Sequence, residues 1–179
     1  MGVKNYLIDG ISGTGKTTVA EELEKRGYHV VHGDRTLKLR GDPKTSQPID
    51  EPIHKNEHEK AEWRQKHHIW DLDKVNAVMN DQEIPVSFFC GGSRNSDQFI
   101  KNLNEVFILE VDDINEIFRR MDERVARDPT DFGGKPEEKE MVAHLHKTKG
   151  GIPKDGIRID STRPLNIVVD EILEHCDLS

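Results

Sequence analysis

The stretch Gly10-Ile11-Ser12-Gly13-Thr14-Gly15-Lys16-Thr17 fits the spacing G-x-x-x-x-G-K-[ST], and its flanks decide what that spacing means. Val3–Asp9 (VKNYLID) before it reads as a strand. Thr17–Arg26 after it places Val19, Ala20 and Leu23 on one helical face before Gly27 ends the helix. The glycines let the backbone wrap until successive N–H groups converge on an anion. A helix beginning at Lys16 points the positive end of its dipole at the same place. In such a loop Lys16 reaches the β and γ phosphates of a nucleotide, and the Thr17 hydroxyl is an oxygen ligand for Mg²⁺. Gly10, Ser12, Gly13, Thr14, Gly15 and Thr18 complete the candidate phosphate cradle. A glycine-rich turn with a chance lysine would leave the strand and the helix unexplained.

The 179 residues suit one core, so a single domain is expected over residues 1–179. With 34% hydrophobic and 34% charged residues the chain is polar, yet not depleted enough in apolar residues to be disordered. No apolar run approaches a membrane span, and Met1–Ile8 lacks the basic start and apolar core of a signal peptide, so a soluble, cytoplasmic protein without a membrane partner is expected. Cys90 and Cys176 are the only cysteines, which excludes a disulfide scaffold and a cysteine zinc site. The net charge of -8 argues against a grip on duplex nucleic acid, so an anionic ligand must meet a local cluster of positive charge.

Outward from the loop, His29–Val31 is a second strand closing on His32-Gly33-Asp34. Arg35–Ile53, with Gly41, Pro43, Pro48 and Pro52, reads as an irregular excursion. A long helix is predicted over Glu57–Met79, with Trp63, Trp70 and Ala77 on a partly buried face. Ile84–Cys90 and Glu105–Val111 read as strands buried on both faces, with a short helix over Ser96–Leu103 between them. Asp113 and Glu116 form a capping box for a helix carrying Ile114, Ile117, Phe118, Met121 and Val125. Asp128–Pro136 breaks the pattern, and Glu137–Lys149 is a polar helical flap with few apolar anchors. Gly156–Asp160 is the last strand, and Pro164 opens a terminal helix. Alternating strands and helices imply an α/β fold, a mostly parallel sheet covered on both faces.

The loop resembles that of the P-loop NTPase superfamily, and the chain length resembles its small nucleoside and nucleotide kinase branch. The resemblance extends from Met1 to about Leu173 and implies a three-layer fold, a five-stranded sheet with a small mobile lid at about 127–149 and an acceptor-binding excursion at about 34–79. Cys90-Gly91-Gly92-Ser93-Arg94 is similar to the loop whose arginine holds the acceptor's phosphate, which makes Arg94 the matching residue. Arg120 and Arg124 are similar to the pair that covers adenine and clasps the transferring phosphoryl group, with Arg119 a one-residue alternative; a solvated basic edge paired with Asp122 and Glu123 is the competing reading. Arg127–Pro136 resembles the lid, to which Lys135 or Arg127 adds charge. Ile159–Pro164 resembles the loop bordering adenine, with Thr162 and Pro164 as its contacts. The Asp131-Phe132-Gly133 triplet is not a protein-kinase magnesium motif, since no HRD segment precedes it.

Asp34 follows the second strand at the carboxyl edge, where open α/β sheets bind ligands. Shikimate, gluconate and adenylylsulfate kinases carry an acidic residue in a comparable turn, which makes Asp34 a candidate general base or a holder of magnesium-bound water, with Arg35 as acceptor clamp. A simple turn aspartate is the competing reading. Unlike many relatives, Phe88-Phe89-Cys90-Gly91 offers no aspartate at the end of the third core strand, so Mg²⁺ falls to Thr17, Asp34 and the nucleotide. His54 and His58 lack a third metal ligand, Trp63 and Trp70 read as packing residues, and Cys90 as an inert buried side chain. The implied activity is ATP- and Mg²⁺-dependent phosphoryl transfer to a small-molecule acceptor, first a nucleoside or nucleotide. The alternatives are a non-nucleotide metabolite kinase and a nucleotide-binding regulatory module.

Overall fold

In the computed structural model, which describes residues 3–178, the chain runs through β1 (Lys4–Asp9), α1 (Lys16–Lys25), β2 (His29–His32), α2 (Gly33–Thr36), β3 (Lys38–Arg40), α3 (Glu57–Lys66), β4 (His68–Trp70), α4 (Leu72–Met79), β5 (Val86–Cys90), β6 (Glu105–Glu110), α5 (Ile114–Arg127), α6 (Pro136–Thr148), β7 (Ile157–Asp160) and α7 (Leu165–His175). Five strands form one parallel sheet in the order β2-β5-β1-β6-β7. The central strand β1 has its sequence neighbours two places away on one side, and the chain crosses to the other side only at β6. Its carboxyl end is therefore the switch point at which such sheets open a crevice, and Gly10–Thr17 starts there.

Alternation along β1 divides the core in two. Tyr6 and Ile8 pack with Leu23 of α1 and with Val169 and Ile172 of α7, while Leu7 turns to the opposite face with Phe89, Ile108, Val75 and Trp70. Burial on both faces explains the near-continuous apolar runs of β5 and β6. A third, smaller cluster of Val111, Ile117, Met121 and Val142 joins α5 to α6. Among the described residues no helix is long and apolar enough to cross a membrane.

Four local expectations are corrected. The helix predicted over Glu57–Met79 is two helices separated by β4, because Trp70 is completely buried against Phe99 and the Asp71 side chain starts a new helix by accepting from the N–H groups of Asp73 and Lys74. The supposedly irregular 35–53 stretch contains β3, which pairs antiparallel with β4 in a small separate ribbon, and a bridge between Gly41 and Pro48. Ser96–Leu103 forms two short 3₁₀ turns, Ser96–Gln98 and Ile100–Asn102, in place of a helix. The capping box at Asp113 is half made: Asp113 accepts from the Asn115 N–H, but Glu116 turns to Arg119 and Arg120. Charge pairing won over capping there.

Candidate active site

Gly13 and Gly15 adopt φ of 86° and 101°, and Gly15 caps α1 without any side-chain acceptor. The first N–H groups of α1 are thus left for a ligand at the positive end of the helix. Lys16 folds back into the loop, donating to the carbonyls of Gly10 and Ile11, the latter at 3.0 Å. Burial pulls its pKa down, against the opposing attraction of Asp9 and Asp34. The Thr14 hydroxyl donates to Ile11 O at 2.8 Å and is buried, whereas Thr17 and Thr18 are exposed on the opening turn of α1.

Asp9, the last residue of β1, had no assigned role in the sequence. Its Oδ1 accepts from the Gly10 N–H at 2.6 Å, and its Oδ2 is buried without a partner. Burial pushes this carboxyl up to about 6, although Lys16 and Arg94 pull the other way. The cue in the sequence was an acid ending an otherwise apolar strand immediately before Gly10.

The segment Gly91–Asn95 is stitched to the β3–β4 ribbon. The Arg94 N–H donates to His68 O at 2.9 Å, and fully buried Asn95 accepts from the Trp70 N–H and donates to Trp70 O, both at 3.0 Å. This extension fixes Arg94, whose Nε donates to Gln65 O at 3.0 Å and whose Nη1 is buried with no partner. Burial lowers its pKa, partly offset by Asp9. The backbone of Gly151 closes over the guanidinium so tightly that any Cβ there would overlap it. Gly33 is under the same constraint, because the Trp70 ring occupies the space of a Cβ; the contact fixes the turn that presents Asp34. Burial works to raise the Asp34 pKa, yet a 3.0 Å hydrogen bond from His68 Nε2, with the charges of Lys16 and Lys38, takes it below the ordinary value. Arg35 is exposed, and its side chain makes no hydrogen bond among the described residues.

On the opposite side, α5 presents its two arginines as their spacing predicts. Arg120 donates to Thr14 O at 3.3 Å and to Ser161 O at 2.9 Å, and Arg124 to Ser12 Oγ at 3.3 Å and Phe132 O at 2.6 Å. Arg119 instead lies outside, paired with Glu116 and Glu123. The buried Ser161 hydroxyl donates to Thr14 O at 2.7 Å and ties the 159–164 loop to the phosphate cradle, while Thr162 turns back to Asp160 and Pro164 caps α7. Lys135 reaches Glu57 at 2.8 Å and Arg127 reaches Glu123 O at 3.3 Å, so neither faces the cradle. His54 pairs with Glu51 and His58 faces Glu140; among the described residues no group of three or more His, Cys, Asp or Glu could hold a metal.

The family model described as AAA domain matches residues 7–144, which takes in the cradle, Asp34, Arg94, both arginines of α5 and most of α6. The chain belongs to the AAA domain family. No curated protein matches it. Among solved structures this AAA domain is similar to shikimate kinase from Acinetobacter baumannii in complex with shikimate, at 17% identity and TM-score 0.59 over 97% of this chain and 93% of that one. It is also similar to a sugar kinase from Janibacter sp., at 16% identity and TM-score 0.57 over 99% and 96%. A third is the deoxyadenosine kinase of M. mycoides with bound dATP, at 14% and 0.56 over 97% and 99%. At these identities the likeness establishes the fold of the AAA domain as that of P-loop kinases. Beyond Asp9, the residues of its site missing from the sequence reading are His68 and Asn95, which come together only through β4 and the strand order.

Proposed function

We propose that this AAA domain is an ATP- and Mg²⁺-dependent phosphotransferase whose acceptor is a small, polar, hydroxyl-bearing molecule. One observation carries the reading. Two buried, unpartnered groups of opposite charge, Asp9 Oδ2 and Arg94 Nη1, lie close enough to influence each other's ionisation, beside Lys16 and under the Gly151 backbone. Unsatisfied buried polar groups are expensive unless a ligand completes them. A ligand offering a hydroxyl to Asp9 and an anionic or carbonyl oxygen to Arg94 would satisfy both.

The roles follow from position. Loop N–H groups and Lys16, released from the Gly10 and Ile11 carbonyls, bind the nucleotide's phosphates; Arg124 beside Ser12 neutralises the charge in transfer, and Arg120 borders the base at Ser161. Thr17, exposed on the opening turn of α1, is a hard oxygen donor of the type Mg²⁺ takes, so it would hold the ion together with the nucleotide's phosphate oxygens and water. When bound, Mg²⁺ supplies charge neutralisation at the phosphate oxygens. The acceptor oxygen forms a bond to the γ-phosphorus, the bond to the bridging oxygen breaks, ADP leaves with that electron pair, and Asp34 takes the hydroxyl proton.

Sugar, shikimate and deoxyadenosine kinases bracket the acceptor classes. The aromatic side chains favour the polar ones: Trp70 is stacked on Phe99 inside the core, and Trp63 is stacked on His67 and flanked by His54, so neither offers a free face to a nucleobase. A regulatory module that binds ATP without an acceptor is favoured by one feature, the absence of a carboxylate at the end of β5. Coupled detection of ADP separates the two. With ATP, Mg²⁺ and a panel of D-gluconate, shikimate, D-fructose and 2′-deoxyadenosine, the kinase reading expects ADP release stimulated by at least one acceptor and reduced roughly a hundred- to a thousandfold in Lys16→Ala. Tight ATP binding with no stimulation supports the module.

A further inference from the structure

Arg40 and His68 are direct partners across the β3–β4 ribbon, and His68 in turn meets Asp34 on α2. Arg40 Nη1 lies 3.3 Å from His68 Nδ1, and His68 Nε2 lies 3.0 Å from Asp34 Oδ1. A guanidinium can only donate, so His68 Nδ1 must offer a lone pair and the ring proton must sit on Nε2. The three side chains form a one-way chain of donors that ends on the carboxylate. Asp34 Oδ1 is engaged by it, while Oδ2 accepts no hydrogen bond among the described residues.

The base of this chain is rigid. β4 is fastened through its Trp70 backbone to Asn95, and the other flank of Asp34 is closed by Gly91, where a Cβ would lie 3.4 Å from Oδ1. Asp34 also feels Lys16 and Lys38. Left unrestrained on a single helical turn, its carboxylate would be drawn toward the lysine that must stay free for phosphate.

We propose that His68, oriented by Arg40, is a positioning residue that holds the Asp34 carboxylate with Oδ2 toward the acceptor hydroxyl, a role that rests on the kinase reading above. A purely structural tie between α2 and β4 would need the same Nε2 proton but would not separate acceptor turnover from ATP binding.

Full-length protein carrying ¹⁵N-histidine gives the tautomer by NMR at neutral pH. His68 is expected to carry its proton on Nε2, and Arg40→Met to mix the two tautomers; a proton on Nδ1 in the wild type would overturn the proposal. In parallel, transfer from ATP to D-gluconate, shikimate, D-fructose and 2′-deoxyadenosine is measured for wild type, His68→Ala and His68→Gln, each checked for folding by its thermal midpoint. For any acceptor that the wild type phosphorylates, His68→Ala should lose about ten- to a hundredfold in kcat with the ATP KM within about twofold. His68→Gln, whose side-chain amide can donate to Asp34, should recover most of the loss. Wild-type kcat in a folded His68→Ala variant would also overturn it. Failure of the wild type with every acceptor counts against the kinase reading, and the tautomer, which needs no acceptor, still decides the Arg40–His68–Asp34 chain.

Discussion

Asp9 is held out of water with one oxygen unsatisfied, and that burial works against the fold. Its carboxyl titrates near 6 in place of about 3.8, so the ionised form is disfavoured in the native state even beside Lys16 and Arg94. Because the folded value lies above the unfolded one, the penalty is absent below about pH 4, grows between pH 4 and 6 and is complete above 6. Asp9→Asn keeps the shape and the acceptor for the Gly10 N–H without the charge. It should therefore raise the thermal midpoint by several degrees at pH 7.5 and lose that advantage by pH 4, while phosphoryl transfer falls. A thermal melt series across pH checks the sign, and an Asn variant less stable than wild type at pH 7.5 would refute it. Arg94→Ala should raise the acceptor KM at least about tenfold and leave the ATP KM nearly unchanged, since its one side-chain hydrogen bond among the described residues goes to Gln65 O and none to the phosphate cradle. Steady-state kinetics with each substrate varied in turn decides this. At this scale the sequence was legible wherever a residue's task is local. Gly10–Thr17 and the Arg120–Arg124 spacing carry their meaning in a few neighbouring positions. Asp9, His68 and Asn95 do not, because the partners that define them, Arg94, Asp34 and Trp70, lie from 25 to more than 80 residues away and meet them only through the strand order.

The flap α6 is better anchored than its composition suggests. Val142 is buried against Val111, Ile117 and Met121, the His146 ring meets Val111 O at 2.9 Å, and Lys139 pairs with Asp122. The turn before it is more weakly held. Asp128–Lys135 depends on Glu138 accepting from the N–H groups of Gly133 and Lys135, on Arg124 with Phe132 O, and on the exposed pair Lys135–Glu57, and such surface ion pairs contribute only about 0–1 kcal/mol. Amide exchange should accordingly be fastest in Asp128–Lys135, slower around Val142 and slowest in β5, with the first segment slowing markedly on addition of a non-hydrolysable ATP analogue and Mg²⁺. Bound phosphate would give Arg124 a stronger partner, and the turn is expected to move inward. Equal protection of Asp128–Lys135 with and without nucleotide would show a fixed segment. The elements missed in the sequence are short ones. β3 and β4 have three residues each and no strong alternation, and Trp63 and Trp70 at helical spacing concealed the break at His67 that tertiary burial of Trp70 imposes.

Across the whole molecule two modules share one cleft. In the proposed reading the parallel sheet with α1 and α5 would carry the nucleotide, and the β3–β4 ribbon docked through Asn95 would carry the acceptor. Trp70→Ala should cost about 3–5 kcal/mol, because it empties a fully buried site between Phe89, Phe99 and Gly33. It should loosen the acceptor side first, so nucleotide affinity is expected to survive at temperatures where acceptor-dependent turnover is gone; denaturation monitored with and without ATP checks the order of loss. The fold was readable at this scale because alternating apolar strands and one phosphate loop constrain the topology tightly. The acceptor was not, because the contacts proposed for it are single side chains gathered from β1, α2, β4 and the loop after β5. Phosphoryl transfer, as opposed to binding or hydrolysis, is observed directly by ³¹P NMR of the wild-type protein with ATP, Mg²⁺ and the pooled acceptor panel. A phosphomonoester resonance should grow in step with ADP as the γ-phosphate signal of ATP declines. Inorganic phosphate as the sole new product, or an unchanged ATP spectrum from protein that binds the nucleotide, would contradict it.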